Sequence, residues 1–191
     1  MTTAYFVRHA HSPWVANREA ERPLSARGRE AAERVADLFD DRPLDAVVTS
    51  PYARARQTVE PIAERRDLDV VEVAGFRERR LADGPVETVG ETFESAVRTV
   101  WDDWSVALPG GESNGAAQQR AVAALDGVVE EYADGSVAIG THGQLLTLLL
   151  NHYDERFDEA YWREELTTPD VYEARFEDGE LRGVERLYEP P

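Results

Sequence analysis

Uninterrupted apolar runs of strand length alternate with amphipathic stretches along most of the chain. Ala4-Tyr5-Phe6-Val7 and Ala46-Val47-Val48-Thr49 have no polar alternation and read as buried strands. Asp69 to Val73 predicts a third strand and Val137-Ala138-Ile139-Gly140 a fourth. Ser25 is an N-cap for a helix over Ala26 to Asp40, with Ala31, Val35 and Leu38 on one stripe. Pro51 ends the second strand, and a helix follows from Ala53 to Arg66. Two further helices are predicted over Thr92 to Val106 and Gly115 to Ala133, parted by the breaker Leu108-Pro109-Gly110-Gly111-Glu112-Ser113. A short apolar helix runs from Gln144 to His152. Two alternating segments, Val171 to Phe176 and Leu181 to Leu187, flank Glu177-Asp178-Gly179 and predict a hairpin. The charged stretch Gly75 to Gly90 predicts no regular element.

Strands alternating with helices imply an α/β architecture: a single three-layer domain over residues 1–191, with a mostly parallel sheet flanked by helices and the hairpin as antiparallel edge strands. No repeat, low-complexity tract or linker interrupts it.

Composition narrows the chemistry. The chain has no cysteine, which removes disulfides, thiolate catalysis and sulfur-bound zinc. It carries 38 acidic against 21 basic residues, a net charge of -17, and every basic residue is arginine. An acidic surface argues against nucleic acid or an anionic membrane as partner. The N-terminus lacks the basic start and apolar core of a leader, and Leu145 to Leu150 is too short to cross a bilayer, so a cytoplasmic location is expected. The acidic, lysine-free composition also fits a halophilic protein working in a salt-rich cytoplasm, where repulsion between carboxylates is screened. A melting temperature no higher in molar salt than in dilute buffer would count against that expectation.

In open α/β sheets the ligand site lies beyond the carboxyl ends of the strands. The first strand runs into Arg8-His9-Ala10-His11-Ser12, the second into Ser50-Pro51-Tyr52-Ala53-Arg54-Ala55-Arg56, and the fourth into Thr141-His142-Gly143-Gln144. Arginines around a pair of imidazoles form a dianion pocket, because guanidinium forks match phosphate oxygens. A helix starting after His142 adds backbone donors, Gly143 first.

These blocks resemble the histidine phosphatase superfamily, also called phosphoglycerate mutase-like. Phe6-Val7-Arg8-His9-Ala10-His11-Ser12 looks like its Arg-His-Gly signature. Pro23-Leu24-Ser25-Ala26-Arg27-Gly28 and Thr49-Ser50-Pro51-Tyr52-Ala53-Arg54-Ala55-Arg56-Gln57-Thr58 resemble its next two blocks. Phe76-Arg77-Glu78-Arg79, Gly110-Gly111-Glu112-Ser113 and Thr141-His142-Gly143 complete the order. The resemblance implies a phosphomonoesterase of the histidine acid phosphatase type, acting on a small phosphorylated metabolite with neither cofactor nor metal. His9 is then the nucleophile that forms a phosphohistidine, with a backbone carbonyl fixing its tautomer. Arg8, Arg54, His142 and Gly143 bind the phosphoryl oxygens, and Glu78 is the proton donor, with Glu87 as the fallback.

Two positions depart from the family pattern. His11 stands where a glutamate is common, and either lines the pocket or touches the leaving group. Asn17 is displaced by a couple of positions from the expected asparagine. Ser12 and Asn17 are further site candidates, and Arg18, Arg77, Arg79 and Arg80 are candidates for a second anionic group on the substrate. Ordinary structural roles are expected for His152 at a helix C-terminus, for a solvated Arg56, and for Trp101 and Trp104 in helix packing.

Three other readings compete. A mutase would return the phosphoryl group to its substrate, although Gly75 to Gly90 is short for the lid a mutase needs. A metal-dependent hydrolase would use His9 and His11 as ligands, although the chain is too short for a full (β/α)₈ barrel, which needs roughly 250 residues. A degenerate binding module would hold phosphoesters without turnover. The oligomeric state, monomer or homodimer, is open.

Overall fold

The computed structural model describes residues 1–188. Six strands form one sheet in the order β3-β2-β4-β1-β5-β6. The strands are β1 (Thr2–Arg8), β2 (Ala46–Thr49), β3 (Val70–Glu72), β4 (Ser136–Thr141), β5 (Asp170–Glu177) and β6 (Glu180–Arg186). The first four pair in parallel, and β5 and β6 add to the β1 edge antiparallel, so the α/β reading with a mostly parallel sheet and a terminal hairpin holds. The hairpin turn is Asp178 and Gly179, both at positive φ (53° and 78°), the two-residue geometry that suits the twist of an antiparallel pair.

Helices cover both faces. On one, α1 (Ala26–Asp37) and α2 (Ala53–Arg66) bury Val35, Val59 and Ile62 against Tyr5, Val7 and Val47. On the other, α4 (Asn114–Glu131) and α5 (Gly143–Asn151) bury Leu125 and the α5 leucines against Phe6, Val48 and Ile139. Alternate residues of β1 thus point to opposite cores, as the period of a strand requires. Trp101 of α3 (Phe93–Asp102) stacks edge-on to Trp104 and both pack on the second core.

Two helices stop three or more residues short of the sequence expectation. The first ends at Asp37, where Phe39 turns into the core and Arg66 donates to the Asp40 carbonyl. The third ends at Asp102, because the carboxylate of Asp103 takes the Ser105 N–H at 2.9 Å and offers the backbone a turn in place of another helical bond. The stretch from Gly75 to Gly90 begins inside one short 3₁₀ turn, Ala74–Phe76, and contains another, Val86–Val89. It packs through Ala82 and Val86 against Ala96 of α3. A π-helical turn, Tyr161–Glu165, follows α5 and was not legible in the pattern.

The topology places the site. Because β4 lies between β1 and β2, the ends of these three strands are adjacent, with Arg8 opposite Thr141 and Thr49 opposite Gly140. The residues just beyond them, His9, Ser50 and His142, therefore share one crevice edge. Among the described residues no helix is long and apolar enough to cross a membrane.

Candidate active site

At this edge lies a cavity of about 320 Å³ lined by Arg8, His9, His11, Ser12, Glu19, Arg22, Arg54, Glu78, Gly143, Gln144, Trp162 and Thr168. His9 is anchored from three sides. Its N–H continues the ladder to Thr141 O at 3.0 Å, and the next N–H, of Ala10, donates to Thr58 Oγ1 on α2. Its own Nδ1 lies 2.7 Å from the Ala10 carbonyl. A carbonyl only accepts, so Nδ1 carries the proton and Nε2 is left with a free lone pair. Burial, then the Arg54 guanidinium, hold the His9 imidazole well below the ordinary histidine range, against the pull of the Ala10 carbonyl.

His142 packs edge-on to His9 at 5.3 Å between centroids and to Tyr52 at 5.1 Å. Its Nε2 bonds Ser50 Oγ at 2.7 Å, while Nδ1 is buried with no partner. Burial and then Arg54 hold this ring well below its usual range too. His142 stands behind His9, outside the lining of the cavity, so its predicted contact with phosphate is not a feature of the open wall.

Two buried guanidiniums flank His9. Arg8 donates through Nη1 to the carbonyls of Leu166 and Thr167 at 3.0 and 2.9 Å, and its Nε has no partner. Gly143 allows this placement, because a Cβ there would lie 2.8 Å from the guanidinium. Arg54 is 1% exposed, bonds Glu19 through both terminal nitrogens, and also has an unpartnered Nε. Burial pulls Arg54 down to about 10, opposed by Glu19, so it stays cationic at neutral pH. The buried Nε–H groups of both guanidiniums thus lack acceptors, a costly arrangement that an anion with several oxygens would relieve.

Glu78 lines the same cavity, its carboxylate held by the N–H groups of Arg79, Gln144 and Leu145. The first-turn donors of α5 expected to face a phosphate are therefore partly taken by Glu78. Glu87 is exposed on the second 3₁₀ turn and outside the cavity. His11 lines the cavity with Nδ1 on Ser25 Oγ at 2.8 Å, and Ser12 lines it while donating to Pro23 O.

Other candidates are not brought in. Asn17 lies outside the cavity lining, exposed at φ 57°, a left-handed conformation that asparagine tolerates. Arg18 pairs with Glu21, Arg77 with Glu112, and Arg80 with Asp83, and none of them lines the cavity. Arg79 is buried behind Gln144, whose side-chain oxygen it bonds. The arginine that joins Arg8 and Arg54 is instead Arg22, which pairs with Glu19 and donates to the Ser12 carbonyl. Glu19, Arg22 and Thr168 come from irregular segments and Trp162 from the five-residue π-helical turn, where periodicity carries no signal. Among the described residues no three His, Asp or Glu side chains converge as metal ligands, so His9 and His11 have no third ligand beside them.

The sequence profile described as the histidine phosphatase superfamily, branch 1, matches residues 4–188. The chain is 29% identical over 154 residues to a Bacillus subtilis protein named "Uncharacterized phosphatase PhoE", covering 78% of this chain and 76% of that one. It is also 29% identical over 159 residues to the "Probable phosphoglycerate mutase GpmB" of Yersinia enterocolitica, covering 79% and 74%. Among solved structures, Bacillus stearothermophilus YhfR superposes with a TM-score of 0.78 at 25% identity over 95% of both chains.

Proposed function

Because the chain belongs to the histidine phosphatase superfamily, we propose that it hydrolyses small phosphomonoesters through a phosphohistidine on His9, with arginine rather than a metal ion offsetting the phosphoryl charge. The observation that carries this reading is a neutral, tautomer-fixed imidazole between two buried guanidiniums with spare donors. His9 Nε2 attacks phosphorus as the ester P–O bond breaks, and Glu78 gives its proton to the departing oxygen. Glu78 then takes a proton from water as that water attacks phosphorus, the P–N bond breaks, and inorganic phosphate leaves. Arg8 and Arg54 take the equatorial oxygens, and His142 packs against the His9 ring as the buried wall behind the nucleophile.

Hydrolysis is favoured over mutase chemistry, although the relatives carry both names. A mutase must exclude water from the phosphohistidine. Here the stretch from Gly75 to Gly90 packs on α3 and contributes only Glu78 to the cavity wall. The test is a panel of phosphomonoesters incubated with chelator. Free phosphate in step with ester consumption supports the phosphatase. Transfer to an added alcohol or sugar acid with little free phosphate would move the assignment to a mutase, and tight binding without turnover would make it a binding module.

A further inference from the structure

The mechanism above makes no use of a buried ion pair in the terminal hairpin that lies against Arg8. Asp170, the first residue of β5, is fully buried and stands opposite Arg8 in the β1–β5 register. Arg186 of β6 grips it with two bonds, Nε to Oδ1 at 2.9 Å and Nη2 to Oδ2 at 2.7 Å. The pair also holds the chain that precedes it. Asp170 Oδ2 accepts the Thr167 N–H at 2.9 Å, and Arg186 Nη2 donates to Glu165 O at 3.0 Å and Thr167 Oγ1 at 3.1 Å. The two carbonyls fixed in this way, Leu166 and Thr167, are the ones that receive Arg8 Nη1.

A buried ion pair is weak evidence for stability, because desolvation offsets most of the attraction. Its directional bonds are better explained by what they place. Arg8 ends a strand with a flexible side chain, and its guanidinium takes its position from two backbone carbonyls in an irregular segment. We propose that Asp170 and Arg186 are positioning residues for Arg8, acting through the Leu166 and Thr167 carbonyls to aim its guanidinium at the phosphoryl group. The inference rests on the reading of Arg8 as a phosphate ligand. It makes the C-terminal hairpin part of the active-site support, although neither residue lines the cavity.

A double-mutant cycle between Asp170→Asn and Arg8→Ala tests it, read by inorganic phosphate affinity and kcat/KM, with thermal melting in parallel. Asp170→Asn keeps the side-chain shape and should weaken phosphate binding about tenfold in the wild-type background, the effect typical of losing an orienting partner. In the Arg8→Ala background it should change phosphate affinity by less than about twofold. Thr167→Val, which removes the hydroxyl's bonds to Arg186 and to the Pro169 carbonyl but leaves the Asp170–Arg186 pair, should show the same non-additivity and carries the test if Asp170→Asn does not fold. Equal effects in both backgrounds, or a lowered melting temperature with unchanged phosphate affinity, would overturn the inference while leaving the phosphatase reading intact. A wild type that binds no phosphate would overturn both.

Discussion

The Glu19 carboxylate lies 2.6 Å from Arg54 Nη2 and reaches Arg22 Nε at 3.0 Å, so a side chain of the protein occupies two cations of the pocket proposed to hold phosphate. A phosphoryl group that engages Arg54 must compete with it. Glu19→Gln removes the competing charge and should tighten competitive inhibition by inorganic phosphate about fivefold, matching the roughly 1 kcal/mol expected of a half-exposed ion pair. Weaker inhibition in this variant would mean that Glu19 serves chiefly to orient Arg54.

The buried histidines predict an acid sensitivity with a definite sign. Unfolded, His9 and His142 titrate near the ordinary value of about 6.5; folded, burial and then Arg54 hold both well below it. The unfolded state therefore binds more protons as pH falls below that value. The stabilisation is complete above about pH 6.5 and is lost as pH falls toward the folded values, by up to about 1.4 kcal/mol per pH unit for each ring. The melting temperature should drop between pH 7 and 5, and less steeply in His142→Asn. An identical slope in the variant would show that the ring is not held neutral. By the same argument His9 stays a free base, so the acid limb of kcat/KM should begin well below the ordinary histidine range.

Glu78→Gln keeps the Oε1 acceptor for the Arg79 and Leu145 N–H groups, gives up the Oε2 acceptor of Gln144, and cannot give a proton. Turnover of alkyl phosphates should fall by roughly 10²–10⁴. p-Nitrophenyl phosphate, whose leaving group departs without protonation, should lose far less. Equal losses on both substrates would remove Glu78 from the acid role.

Gly143→Ala sets fold against site. Alanine suits the first turn of a helix, but its Cβ would stand 2.8 Å from the Arg8 guanidinium, which two carbonyls prevent from retreating. Circular dichroism should be unchanged while kcat/KM falls by about 10²-fold, the scale of a misplaced catalytic group. Unimpaired activity would show that Arg8 has room to move.

These residues also mark how far sequence reasoning reaches. His9 and His142 follow directly on buried strands and Arg54 opens the helix after a third, and a parallel sheet gathers strand ends at one edge whatever the loops do. Their convergence was legible for that reason. Glu19 and Arg22 lie between Pro13 and Pro23, where no periodicity fixes direction, and arginines are too numerous in this chain to single out one. Arg18, Arg77 and Arg80 resembled them equally in the sequence, yet each is paired with a carboxylate outside the cavity. Trp162 and Thr168 enter because the antiparallel addition of β5 beside β1 returns the preceding segment to the carboxyl edge. That return depends on tertiary pairing, which a hairpin signal alone does not orient. Asn17 matched a motif in kind but not in spacing, and it serves a left-handed turn.

The central claim is a covalent bond between phosphorus and His9. Rapid-quench trapping with a labelled phosphomonoester, followed by peptide mapping, tests it most directly. The account predicts an acid-labile, alkali-stable phosphate on the peptide containing His9 in the wild type and none in His9→Ala, which should also release no free phosphate. Turnover undiminished in His9→Ala, or label on any other residue, would contradict it.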